Sequence, residues 1–283
     1  MNVAAAAEYA GKHALEALVI ERDGRRVFER FAPGFDDATP HALYSGTKSF
    51  WGVVAVAAQV DALLDLDEPV GSTFGAWTHG AKGRVTLRHL LQLTSGIGFG
   101  GLGRAVPAYG AALAVELKAE PGERFTYGGI PLQVFGAVLA EKLRASGRTP
   151  HAYLQERLLA PIGMRIGSWR ALNDGTQPLP TGAFVAAAQW AKFGRFVLQR
   201  GMWDGVALVP SCDVATCFEG SVANPRYGLG WWLSPLRSVP DLVYASGYGG
   251  QALYVIPAEN TVVVKFGKSA SYGHEPFLKR LLL

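Results

Sequence analysis

From Phe50 to Ala58 the sequence FWGVVAVAA offers no polar side chain at any angle around a helix. A surface helix keeps one face apolar and the other wet, so a helix of this kind needs other elements packed on every side. The run is about half of the roughly 18 apolar residues a bilayer span requires, so the enclosure is expected to be protein and no membrane span is predicted. The chain has the means to build it. With 283 residues, 49% hydrophobic and 18% charged, it is long enough for one large or two modest domains and too apolar to stay disordered.

The flanking sequence predicts what surrounds that helix. Asp23-Gly24 stands between the apolar-rich runs Ala17–Glu21 and Val27–Phe31 and accepts the positive φ angles of a tight hairpin. Thr86–Leu93 reads as a short helix, followed by a glycine-rich loop from Gly96 to Gly103. In Pro131–Leu143, residues Leu132, Phe135, Gly136, Leu139 and Leu143 share one helical face, with proline in the first turn and Gly147 near the end. Helices are also expected over His151–Leu159 and Phe184–Arg200, the second closed by Gly201. After Pro225 the texture changes to short runs rich in β-branched and aromatic residues: Tyr227–Leu233, Leu242–Ala245, Ala252–Ile256 and Thr261–Phe266. The expected architecture is therefore an α/β (α+β) two-part fold. Residues 1–44 and 225–283 build an antiparallel sheet flanked by helices, and residues 45–224 form a mostly helical unit.

Several function classes are disfavoured at once. The net charge of +4 and pI near 9.1 come from residues spread along the chain, so nucleic acid is not an expected partner. Cys212 and Cys217 match no zinc or redox spacing, and the six histidines form no HExxH pair, so no metal is expected. Gly96-Ile-Gly-Phe-Gly-Gly101 satisfies GxGxxG literally, but it follows the helix-like LLQL and Pro107 interrupts what should be the next helix, so no dinucleotide cofactor is expected. The start, with four alanines and then Glu8 and Lys12, lacks the pattern of a secretory leader. The expected location is cytoplasmic as written, or periplasmic or secreted if a leader was trimmed.

Three places could carry chemistry. Ser45-Gly-Thr-Lys48 is the one Ser-x-x-Lys in the chain and stands where an extended segment meets the apolar helix. Residues three apart at a helix start share a face, so a lysine desolvated there can take a serine's proton; the same spacing also suits a serine cap and a solvated lysine. Tyr127, in PGERFTYGG, precedes the Pro131 helix and can be a proton shuttle or an ordinary core tyrosine, with a nearby Lys48 cation expected to lower its pKa. Ser246-Gly-Tyr-Gly-Gly-Gln251 joins two predicted strands, and its glycines either let the backbone approach a ligand or simply make a hairpin. Trp231 and Trp232 alternate faces, so one is expected in the core and the other can reach the cleft.

Taken together, these segments resemble the penicillin-recognising serine hydrolases, in the class C β-lactamase-like branch that includes family VIII esterases and aminohexanoate-oligomer hydrolases. The resemblance spans nearly the whole chain through LDLDEPV (64–70), TLRHLLQLTSG (86–96), PGERFTY (121–127), LAPIGM (159–164), YGLGWW (227–232) and GGQ (249–251). It implies Ser45 as acylated nucleophile, Lys48 as its activator, Tyr127 as proton shuttle, and the backbone N–H groups of Ser45 and Gln251 as an oxyanion hole. No cofactor is implied. Two departures bear on substrate. The family's Tyr-x-Asn carries Gly129 at its third position, and the lysine of the third motif is matched by Tyr248. With Gly249 and Gly250, these positions are expected to face substrate. Losing the lysine removes one charge-assisted hydrogen bond to a carboxylate, worth about 1.5–3 kcal/mol. The resemblance therefore implies a carboxylesterase for small neutral esters or simple amides, with a β-lactamase, a D-amino-acid peptidase or a non-catalytic binding protein as alternatives.

Overall fold

The structure, a computed structural model, describes residues 1–283. Asp23 and Gly24 both take left-handed φ, 52° and 73°, and this two-residue turn matches the twist of the strands it joins, Leu15–Arg22 and Arg25–Phe31. The hairpin forms one side of a six-stranded antiparallel sheet. Its strand order is Arg25–Phe31, Leu15–Arg22, Thr261–Gly267, Gln251–Ile256, Val243–Gly247 and Trp232–Leu233. Both ends of the chain thus contribute to the sheet, as expected.

Alternation along these strands feeds two cores. Ala17, Val19, Val262, Val264 and Phe266 face the larger one; Leu18, Ile20 and Val263 face the smaller. The smaller core is closed by two terminal helices that the periodicity reading did not include. Val3–Gly11 contributes Ala6, Ala7 and Ala10, and His274–Leu282 contributes Phe277, Leu278 and Leu281. On the other face Ala187–Leu198 packs against the sheet. The apolar helix runs from Ser49 to Val60 and is buried from Ser49 through Ala58. Two buried tryptophans tether it: Trp51 Nε1 donates to Leu179 O at 2.6 Å, and Trp231 Nε1 donates to Ser49 O at 3.0 Å. No helix is long and apolar enough to cross a membrane.

Three expected elements are corrected. The segment expected as a helix from Phe184 begins as the strand Ala183–Ala186, paired with Pro40–Ala42 and Ser168–Trp169, and turns helical only at Ala187. Its alanine-rich sequence suits a helix locally, but two distant strands capture its first residues. His151–Leu159 is split into Pro150–Leu154 and a wider π-helical turn over Gln155–Leu159. In Tyr227–Leu233 only Trp232–Leu233 joins the sheet, because Gly230, at φ 80°, folds the chain back so that Tyr227 bridges Trp232. The first correction matters for function. The Leu43 N–H bonds Ala183 O at 2.9 Å, which pins the chain just before Ser45.

Candidate active site

Tyr44–Lys48 is a 3₁₀ turn that runs directly into the Ser49–Val60 helix. At three residues per turn Ser45 and Lys48 eclipse, and the Lys48 amine donates to Ser45 Oγ at 2.9 Å and to Pro180 O at 3.3 Å. Lys48 is 1% exposed. Burial with no carboxylate partner pulls its pKa down to about 7, so near neutral pH an uncharged amine able to accept a proton is abundant.

Tyr127 completes a cluster of three. Its ring centroid lies 4.9 Å from Lys48 Nζ, and Trp232 stacks on it at 5.8 Å and 23°. The expected lowering of the phenol by Lys48 is corrected: burial raises the Tyr127 pKa, and contact with the Ser45 side chain offsets only part of the rise. The lysine is itself desolvated and only partly protonated near neutral pH, and its charge does not offset the burial of the phenol. Near neutral pH the cluster therefore holds an amine that can accept a proton and a phenol that keeps its own.

These groups adjoin a cavity of about 280 Å³ lined by Tyr44, Ser45, Lys48, Gly101, Leu102, Gly103, Pro180, Thr181 and Tyr248. The glycine-rich loop that mimics a dinucleotide motif is thus a wall of this cavity. It also accounts for Gly129. The Gly129 N–H bonds Gly100 O at 2.9 Å, and a Cβ placed on Gly129 would stand 1.9 Å from Gly101 O. The loop backbone occupies the space where a side chain at 129 would begin, and Gly129 itself is not part of the lining.

On the third element the expected residues separate. Tyr248 lines the cavity, whereas Gly249, Gly250 and Gln251 do not. Gly249 and Gly250 hold φ of 79° and 81°, which glycine adopts freely. Gln251 is buried behind the turn. Its amide nitrogen donates to Tyr248 O at 3.0 Å and also to Gly267 O, while its amide oxygen accepts from the Gly267 N–H at 3.2 Å. The side chain is a brace that ties the turn to the neighbouring strand. The Tyr248 N–H makes no backbone hydrogen bond.

Sequence reasoning missed Tyr44, Pro180, Thr181 and the loop Gly101–Gly103 as lining residues. Only the loop carried a signal, its density of glycines. Tyr44 takes φ 48°, a conformation that costs a non-glycine residue roughly 1–2 kcal/mol and that the sequence alone does not show.

A family model described as Beta-lactamase matches residues 10–280. A Bacillus anthracis protein described as a candidate 6-aminohexanoate-dimer hydrolase superposes with a TM-score of 0.82 at 19% identity, over 98% of this chain and 80% of that one. The octameric penicillin-binding protein homologue of Pyrococcus abyssi gives 0.76 at 20% identity, over 100% and 77%. EstCE1, a hydrolase with promiscuous acyltransferase activity, gives 0.75 at 16% identity, over 98% of each chain. At such identities these similarities establish the fold. Among curated proteins, the monacolin J acid methylbutanoyltransferase of Aspergillus terreus is 30% identical over 156 residues; the match covers 44% of this chain and 37% of that relative.

Proposed function

This chain belongs to the beta-lactamase family of serine hydrolases, and on that premise we propose that it is a carboxylesterase acting on small neutral esters through an acyl-enzyme on Ser45. The observation that carries the reading is the desolvated Lys48 amine 2.9 Å from the Ser45 hydroxyl with no counter-charge bound to it. In the first half-reaction the Ser45 proton moves to Lys48 as Oγ bonds to the ester carbonyl carbon. The oxyanion is held by the N–H groups of Ser45 and Tyr248. Tyr248 takes the place expected for Gln251 because it lines the cavity with an N–H free of backbone bonds, while Gln251 lies behind the turn. The C–O bond to the alcohol then breaks, and the departing oxygen receives the proton from Lys48 through the Tyr127 hydroxyl. Water repeats the sequence on the acyl-enzyme and releases the acid. Ser45 would sit at the junction of the sheet unit (1–44 and 225–283) and the helical unit (45–224).

Two observations favour esters over β-lactams and D-amino-acid peptides. Lys48 is the one basic side chain lining the cavity and is committed to Ser45, so no other basic group in the lining can meet a substrate carboxylate. The space beside Gly129 is filled by loop backbone, so no side-chain amide can hold an acylamino group there. The test is a side-by-side measurement of kcat/KM for ethyl butyrate, nitrocefin and a D-alanyl-D-alanine peptide. Ester turnover at least tenfold above the other two supports the reading; faster nitrocefin hydrolysis would replace it with a β-lactamase.

A further inference from the structure

Tyr44 is a costly residue for its position. It immediately precedes Ser45 at φ 48°, where glycine would sit without strain, and backbone strain of this kind concentrates at sites where geometry serves function. Its side chain is not in the core: Tyr44 is 41% exposed, and its neighbour Tyr248 is 72% exposed. The two rings meet edge to face, with centroids 5.8 Å apart and planes at 74°, and both line the cavity that holds Ser45. Neither tyrosine's hydroxyl makes a hydrogen bond within the protein, and the bond at Tyr248 runs from the Gln251 side-chain amide to its backbone oxygen, so no polar bond explains the placement of the rings. The glycine-rich loop carries one exposed aromatic, Phe99, two residues before the Gly101 wall of the same cavity.

We infer that Tyr44 and Tyr248 form an aromatic clamp at the mouth of the Ser45 cavity and select esters that carry an aromatic ring close to the scissile carbonyl. A perpendicular pair leaves one ring face and one ring edge open, which is the arrangement a third ring joins in herringbone fashion. A saturated ring of the same size buries similar area but has no quadrupole to match. The inference rests on the acyl-enzyme reading, since it places the ring relative to Ser45. The ring can belong to the alcohol or to the acyl part, and the substrates used must separate the two.

The experiment compares two matched pairs, benzyl acetate against cyclohexylmethyl acetate and methyl phenylacetate against methyl cyclohexylacetate. Measurements use wild type, Tyr44→Gly, Tyr44→Phe, Tyr248→Ala and Tyr248→Phe, with labelling of Ser45 by a fluorophosphonate followed in each. The aromatic member of at least one pair is expected to be favoured about three- to tenfold in kcat/KM, through KM, in wild type and both phenylalanine variants. The pair that shows the preference identifies the side on which the ring sits. The preference should fall toward unity in Tyr44→Gly and Tyr248→Ala, with Tyr44→Gly melting no lower than wild type because glycine relieves φ. Equal turnover of aromatic and saturated members in both pairs, or a preference that survives both truncations, overturns the clamp. Absence of a Ser45 adduct in wild type overturns the acyl-enzyme reading, and the clamp with it.

Discussion

The Lys48 amine lies 2.9 Å from Ser45 Oγ in a pocket that leaves the lysine 1% exposed and gives it no carboxylate. Desolvation alone, with no ion pair to oppose it, brings the amine down to about 7, so its basic form is present where a serine needs a base. For a neutral ester, kcat/KM is therefore expected to rise with pH and level off above about 7, reporting one ionisation in the free enzyme. A pH–rate profile checks this; a plateau extending unchanged below pH 5 would rule out Lys48 as the base.

The same burial has a stability consequence. Because the folded value of about 7 lies below the ordinary 10.5, the unfolded chain holds a proton that the folded chain lacks throughout the interval between them. Stability from this group therefore rises with pH from about 7 to about 10.5, and below 7 the full penalty is present. Lys48→Met should remove that penalty, inactivating the protein yet raising its stability at pH 7 by roughly 2–4 kcal/mol. Denaturant titrations of both proteins at pH 7 and pH 10 check the sign; the advantage of the variant must shrink at the higher pH.

Tyr127 acts as a protonated phenol in the proposed mechanism, so deleting its oxygen should interrupt proton transfer without opening the site. Tyr127→Phe keeps the stack on Trp232 and is expected to lower kcat by about 10²–10⁴-fold with little change in melting temperature. Steady-state kinetics with a thermal melt distinguishes this from a packing role, in which stability would fall and kcat would hold.

Restoring a family-like asparagine at 129 should not create a β-lactamase. A Cβ there meets the backbone oxygen of Gly101 at 1.9 Å, so Gly129→Asn must displace the loop that walls the cavity. The expected result is a loss of about 2 kcal/mol or more in stability, lower esterase activity, and no gain in nitrocefin turnover. A more stable variant that hydrolyses nitrocefin would contradict this view of the loop.

Where local sequence carried the cause, the sequence reading and the structure coincide. Asp23-Gly24 makes its hairpin because both residues take left-handed φ, and Ile130–Leu143 is helical because apolar periodicity and an early proline agree. The Ser45–Lys48 pairing followed from a spacing of three. The failures are places where distant segments decide. Ala183–Ala186 becomes a strand because Pro40–Ala42 and Ser168–Trp169 pair with it, and no local pattern announces those partners. The terminal helices Val3–Gly11 and His274–Leu282 owe their positions to packing against the outer sheet face. Tyr127 was expected to be a lowered phenol because a cation was placed beside it; the same enclosure that brings them together desolvates both. The resemblance implies a backbone N–H of Gln251 at the oxyanion; what no local pattern announces is that the Gln251 side-chain amide braces Gly267 on the neighbouring strand.

The most direct test is whether Ser45 carries the acyl group. Purified wild type and Ser45→Ala would be treated with a fluorophosphonate, examined by intact mass and peptide mapping, and assayed with p-nitrophenyl butyrate. One adduct on the peptide containing Ser45, with ester hydrolysis, and neither in Ser45→Ala, is the expected result. Hydrolysis at an undiminished rate in Ser45→Ala, or an adduct mapped to any other residue, would contradict it.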